Sequence, residues 1–537
     1  MPIAVEGFLL PDSTDGAGVY EYTSSKLSGV TPKAIWIIGA PAAGSYDTLA
    51  THMNAANGFS DGVNEAGVYL LSTDGTASSS TGRADSNDSL GLFAGLEGTA
   101  IGDGGEGNPG MIPGGVRINW TTVTTTSNRR AMIVFFHGDD VEAAVGVHTP
   151  NSSNGGTATT SGLGFDPDLI MFLADGKTIA DGMTSNFPHG INSVGFCDAD
   201  LNQSCFAMWN ETSQAAGSPR LRRYDNRVGG QLTTWTGEVT ALPSGGFTTT
   251  TRDGGSGGDG LAYMAISFGG VEQVEVLSFD SPTTAASDWT VSTSFEPDAA
   301  IVLSCMAQAV DSLEADADAG AHGFHIHDGT DGFGIAFAEE FDADPTNVAG
   351  IATDQFIFAM NDDQSTAFDI GGPTFNASDF TVPAASMTTA DGTARKWFGF
   401  VVGTVGGGTT YDQATSQGAP TLGHGGVGVA DVAGTLGGGA PALAAATSAL
   451  TNLATALNGG AASLGFALAD DLVVAGGVTY DQATDHDAPV PTFTLAATLA
   501  PFAWIAADNA DGTWTDADPD SGTWTDADPE TATWTDD

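Results

Sequence analysis

One short stretch holds side chains that could do chemistry together: His322, His325, His327, Asp328 and Asp331. On an extended strand His325 and His327 project to the same face, which is the placement a metal site needs. The turn that follows, Asp328-Gly-Thr-Asp331-Gly, offers oxygen ligands for a hard cation, although it lacks the full spacing of an EF-hand loop. His325, His327, Asp328 and Asp331 are therefore the candidate ligands of a structural ion such as calcium. The alternative is a polar strand edge with its imidazoles in solvent. A second cluster is cationic. Arg220, Arg222, Arg223 and Arg227 gather four of the ten arginines into eight residues. Their planar forks suit the carboxylates of a neighbouring module or subunit, or an anionic glycan. A third feature is aromatic, with Trp504, Trp514, Trp524 and Trp534 spaced by ten residues and TWTDADP given twice. Alternating Thr-Trp-Thr-Asp makes a short strand with the indole on one face, and Asp-Pro ends it. Such a tail cannot bury four indoles alone, so it is expected to dock on a partner or a sister chain. The alternative is a disordered low-complexity tail.

Catalytic signatures are not expected from this sequence. Neither HExxH nor the phosphate-binding GxxxxGK[ST] pattern occurs. GxSxG occurs at Gly58 to Gly62 and at Gly254 to Gly258, but neither flank reads as the helix that a nucleophile elbow requires. Carboxylate groups such as Glu314, Asp316 and Asp318, or Asp342 and Asp344, come with the composition rather than with a site. The expectation is a protein that is not an enzyme and requires no cofactor.

That composition is itself informative. Sixty-six Asp and Glu face 14 Lys and Arg, giving a formal net charge of -52, and only four of those cations are Lys. Acidic residues spread through every segment point to solvent rather than to one partner. In molar salt the Debye length falls to about 3 Å, which screens the self-repulsion that dilute buffer would leave. A halophilic source follows. The same charge argues against nucleic acid, whose binding depends on Lys and Arg. Cys197, Cys205 and Cys305 are too few for a disulfide framework and read as small buried hydrophobes. No stretch is long and apolar enough for membrane insertion, and the first 18 residues show neither a basic nor an apolar leader region. Release by lysis inside a particle would bring such a protein outside the cell.

The elements that must position these residues repeat three times. Gly29-Val-Thr-Pro32, Gly164-Phe-Asp-Pro167 and Ser294-Phe-Glu-Pro297 each introduce an apolar run, at spacings of 135 and 130 residues. A second landmark recurs as Gly58 to Gly62, Gly190 to Asp198 and Gly323 to Gly329. A third is an apolar strand turning polar, VYLLSTD, CFAMWNE and FIFAMND, the last preceded by an insertion. Period-2 strands GGVRINW, GGFTTTT and SDFTVPA lead to closing strands RRAMIVFFHG, LAYMAISFGG and ARKWFGFVVG. Gly and Asp turns between short β-branched and aromatic runs imply antiparallel sandwiches. The fold class is all-β: three tandem β-sandwich, jelly-roll-like modules at 1–140, 141–271 and 272–405. Modules in series suggest an elongated molecule. An Ala/Gly-rich region at 406–500 frames one amphipathic helix, Ala440 to Leu457, suited to self-association, and the Trp repeat tail occupies 501–537.

This order of landmarks, over about residues 18–405, resembles a repeat in structural and tail-fibre-like proteins of tailed bacteriophages and haloarchaeal tailed viruses, and the Trp-Thr-Asp array resembles repeats at the ends of phage tail proteins. The resemblance implies a virion surface protein, a tail fibre or baseplate component that contacts the host, as a trimer or other cyclic homo-oligomer beside other virion proteins. Host glycan or S-layer would be its outer partner. The His-x-His strand is similar to iron-binding triads of some phage spikes, which adds iron to the candidate ions. A capsid decoration or turret protein is the alternative within that class, and a glycan-degrading tailspike enzyme the alternative outside it.

Overall fold

The apolar runs that follow the three prolines are continuous rather than alternating, which requires strands buried on both faces. The computed structural model shows what buries them. It describes residues 2–404 apart from short segments, the longest being 211–218, and beyond these only four three-residue strands. Ile35 and Ile37, Ile170 and Phe172, and Ala300 and Val302 face the second sheet of their own module. Trp36, Met171 and Ile301, on the opposite faces, enter one core shared by all three modules.

Each module builds a seven-stranded antiparallel sheet in one order. In module 1 the opening strand Ile3–Leu10 pairs with the closing strand Arg129–Phe136, which pairs with the Pro strand Ala34–Ala42. The hairpin Met53–Ser60 and Glu65–Ser72 comes next, then the edge strand Thr81–Ser86. Module 2 repeats this as Glu142–His148, Leu261–Ser267, Leu169–Ala174, Gly190–Asp198, Gln203–Asn210 and Pro219–Asp225. Module 3 repeats it as Glu272–Asp280, Lys396–Thr404, Ala299–Cys305, His322–His327, Gly332–Glu339 and Val348–Thr353. Smaller sheets cover the outer faces; the Thr- and Val-rich segments form strands as expected, Gly115–Val123, Gly246–Asp253 and Asp379–Val382, and these lie in the smaller sheets. The chain is all-β, with sandwich-like repeats.

The seventh strand of every sheet is a guest. Between its Pro strand and its hairpin, each module sends a two-residue strand onto the edge of another. Phe187–Pro188 of module 2 pairs with Thr81–Ser86 of module 1, and Leu313–Glu314 of module 3 pairs with Pro219–Asp225 of module 2. Ala50–Thr51 of module 1 pairs with Val348–Thr353 of module 3. The exchange runs around a closed cycle, so the three modules form a ring with pseudo-threefold symmetry. Residues Met1–Gly406 accordingly make one compact unit.

Two expectations are corrected by this arrangement. Within Met1–Gly406 the modules are not strung out in an elongated series: each keeps its own sandwich core and adds to a common one, because a sheet buried on both faces needs its neighbours. The third-module copy of VYLLSTD and CFAMWNE is Gly332–Glu339, whereas FIFAMND supplies Ile357–Met360 to a separate sheet with Thr366–Ile370 and Met387–Thr389. Both segments are apolar runs that end polar; only the turn preceding them tells them apart. The helix expected at Ala440 to Leu457 lies outside the described residues.

A fragment covering residues 141–271 alone should remain unfolded or aggregate, shown by an amide proton spectrum without dispersion. The full chain should lose residues 2–404 in one cooperative urea transition; three separable transitions would contradict a shared core.

Candidate functional site

Each hairpin turn ends the second landmark with an aspartate, and these three aspartates hold the ring. Asp61 Oδ1 accepts the Val63 and Asn64 amides, at 2.9 and 2.7 Å, shaping its own turn. Its Oδ2 accepts the amide of Val145 in the opening strand of module 2, at 2.8 Å. Asp198 repeats this with Asp200 and Asn202 in its turn and Val276 of module 3 at 2.8 Å. Asp328 closes the cycle with Thr330 and Asp331 in its turn and Val5 of module 1 at 2.9 Å. Val5, Val145 and Val276 stand opposite Val134, Met264 and Phe400 on their closing strands. The carboxylates therefore satisfy an outward amide on each exposed sheet edge, where an unpaired donor would otherwise invite another chain.

The expected metal quartet is divided by this use of Asp328. Lys26 of module 1 reaches Asp328 at 2.7 Å and Asp331 at 2.8 Å, so an ammonium occupies the place proposed for the ion. Burial works against the lysine charge, but bonds to the two aspartates outweigh it and hold its pKa above the usual value. His325 and His327 do share a face, as the period-2 argument requires. That face looks into the sandwich of module 3, however, and not toward solvent or the aspartates. His325 Nε2 lies 2.7 Å from Ser304 Oγ, and the His327 ring packs against Phe356 and Phe375. His322 faces the shared core, against Phe206 and Phe337. Among the described residues no group of three or more His, Cys, Asp or Glu is placed to hold a metal ion.

The arginine cluster lies at the junction of modules 2 and 3, on carbonyls, hydroxyls and a ring more than on carboxylates. Fully buried Arg223 donates to Ser278 Oγ of module 3 at 3.0 Å and stacks 4.4 Å from the Phe398 ring, while pairing with Asp225 of its own module at 2.9 Å. Arg222 donates to the Asp311 carbonyl at 2.7 Å. Arg227 pairs with Glu238 within module 2, and Arg220 lies on the same strand beside the junction. Of the tryptophans, Trp514 and Trp524 stand opposite each other in paired strands Thr513–Thr515 and Thr523–Thr525. Trp504 and Trp534 lie outside the described residues.

Sequence reasoning missed the axis of the ring. Trp36 has no exposed surface and its ring meets Phe59 of its own module, Phe196 of module 2 and Phe324 of module 3, at 6.0 to 6.2 Å. At the open ends of the hairpins the equivalent residues Ser72, Asn210 and Glu339 converge. Asn210 donates to Ser72 Oγ at 3.2 Å and to Glu339 Oε2. Glu339 is completely buried, and desolvation drives its pKa up to about 7 against the lowering effect of these bonds. The signal available in the sequence was a polar residue eight places beyond each turn-closing Asn64, Asn202 and Asp331.

The GxSxG at Gly58 to Gly62 ends the strand Met53–Ser60 and enters the hairpin turn, with Ser60 Oγ accepting the Gly62 amide; most of the second occurrence lies outside the described residues. The three cysteines are free and buried, and burial raises their thiol pKa values, to about 12 at Cys205 and about 11 at Cys305. A groove of about 570 Å³ runs beside Phe279 and Trp289, and its carboxylates are engaged: Asp280 binds Lys396 and Asp288 accepts the Ala384 amide.

Removing the Asp61 carboxylate should cost about 1–3 kcal/mol, because amides on both sides of a junction lose their acceptor. Asp61→Asn should not rescue it, since one carbonyl oxygen cannot serve both the turn and Val145; full stability of that variant in urea titration would contradict the staple. Buried His325 and His148 have pKa values lowered by desolvation to about 3 and about 4. Each is neutral when folded and protonated when unfolded below its ordinary value of about 6.5, so stability should fall as pH drops from there toward the folded value, by about 1.4 kcal/mol per unit per residue. His325→Gln should make the fall shallower in thermal melts. No family model matches this chain, and no curated protein or solved structure matches it.

Proposed function

We propose that the chain is a non-enzymatic structural component of the virion of a salt-adapted, archaeal tailed virus, displayed on the particle surface. The observation that carries this reading is the cyclic closure of three modules into one ring. Strand exchange, aspartate staples and a common core all serve mechanical integrity, and Lys26, Asp328 and Arg223 are engaged in the junctions. The acidic surface suits a particle that must stay dispersed in brine. The Ala/Leu segment and the Trp-Thr-Asp array would supply the attachment to sister chains or other virion proteins.

Within this reading the ring favours a capsid decoration or turret over a fibre shaft. A shaft needs modules stacked end to end, whereas a pseudo-threefold body matches a position of threefold symmetry on a shell. Contact with a host glycan or S-layer would then come from the outer sheets, whose exposed faces differ among modules: the ion pair Arg117–Glu21 in the first, threonine pairs such as Thr159–Thr248 in the second, and Thr290–Thr381 in the third.

Gold-labelled antibody against the second module should bind intact, gradient-purified particles on the head. Label on the tail would restore the fibre assignment, and no label on particles would end the virion reading. Shortening of host surface polysaccharide by the purified protein would overturn the non-enzymatic role.

A further inference from the structure

Buried polar atoms without partners gather on the axis. Glu339 Oε1, Asn210 Oδ1, both side-chain atoms of the Asn192 amide and both ring nitrogens of His322 are buried and make no hydrogen bond. The ladder register places them together. Asn192 stands opposite Met208, two residues before Asn210, and His322 opposite Phe337, two residues before Glu339. Residues two apart on a strand share a face, and Met208 and Phe337 both face the shared core. Asn192 and His322 are therefore one rung from the Ser72, Asn210 and Glu339 cluster. Most buried polar groups in folded proteins find partners, so a concentration of orphans calls for a bound species.

The chemistry of that species follows from the donor set. Glu339 carries one carboxylate, and its hydrogen-bond partners, Ser72 and Asn210, are neutral. Desolvation of an isolated carboxylate is costly unless a counter-charge accompanies it. Asn210 Nδ2 faces Ser72 Oγ and Glu339 Oε2 and its Oδ1 has no partner; turning the amide over exchanges the two, so that Oδ1 faces those oxygens around a cation and Nδ2 takes the other place. The result is a cluster of hard oxygen donors with a single negative charge. A divalent ion would leave one positive charge buried, whereas a monovalent ion leaves none.

We propose that the pseudo-threefold axis holds one monovalent cation, sodium or potassium, bound by the Glu339 carboxylate with the side-chain oxygens of Asn210 and Ser72. The ion joins residues from all three modules and is taken up as the ring closes. Its oxygens come from equivalent strand positions, so its binding couples the three junctions.

The full chain should be melted at neutral pH in sodium chloride and in the same concentration of tetramethylammonium chloride, whose cation is too large for the site. The rise in melting temperature from tetramethylammonium to sodium should be about 2–4 °C larger for the wild type than for Glu339→Gln, which keeps the volume but not the charge. The response of the acidic surface to salt is common to both proteins and cancels. An equal sodium preference in the two proteins overturns the proposal. Infrared spectroscopy of the wild type provides a measurement independent of any variant. Replacing tetramethylammonium by sodium should abolish the protonated-carboxyl band of a buried glutamic acid; a band unchanged by sodium shows that a proton, and not a metal ion, neutralises Glu339.

Discussion

A β-sheet that ends in an unpaired strand carries a row of unsatisfied amides and carbonyls, and the architecture here follows from how those edges are covered. At one edge a guest strand from the adjoining module extends the ladder. At the other, an aspartate from the adjoining hairpin turn caps an opening-strand amide. Both devices use a neighbour, and three neighbours suffice to close the cycle. The shared core is the consequence, since sheets held edge to edge in a ring turn one face inward.

The scarcity of cations sharpens this economy of contacts. Lys26, among the few cations of this chain, bridges Asp328 and Asp331 where module 3 meets module 1. Arg223 lies fully buried where module 2 meets module 3, against Phe398 and Ser278. Screening by salt weakens exposed pairs more than enclosed ones, so cations placed in junctions keep their effect where surface pairs would lose it.

Much of the fold was legible in the sequence, and the remainder was not for a definite physical reason. Triplication and sandwich class follow from Pro landmarks and period-2 runs, because local pattern determines which residues form strands, whereas the order in which those strands pair does not. The ring was written in the same residues, in the continuous runs IWII, LIMF and AIVL, but burial on both faces does not say by what. Asp61 and Asp198 stand within the recognised landmark without a visible task and Asp328 reads as a metal ligand, since Oδ1 has a local role and only the fold brings Val145, Val276 and Val5 to Oδ2. His325 and His327 have the strand geometry expected and Asp328 and Asp331 the turn, but the surroundings differ from those of a metal site. Whether a face meets solvent, a sandwich or a lysine from 300 residues away is tertiary information.

The single carboxylate at the inner end of the hairpins has a meaning for how such a molecule can change over time. Were the ring assembled from three identical polypeptides, any acid introduced at that position would appear in triplicate at hydrogen-bonding distance, and mutual repulsion in a dry interior would keep most of the copies protonated. Tandem fusion lifts the constraint. One copy can carry Glu339 while its counterparts remain Ser72 and Asn210, so covalent linkage gives the lineage access to central chemistry that strict symmetry denies.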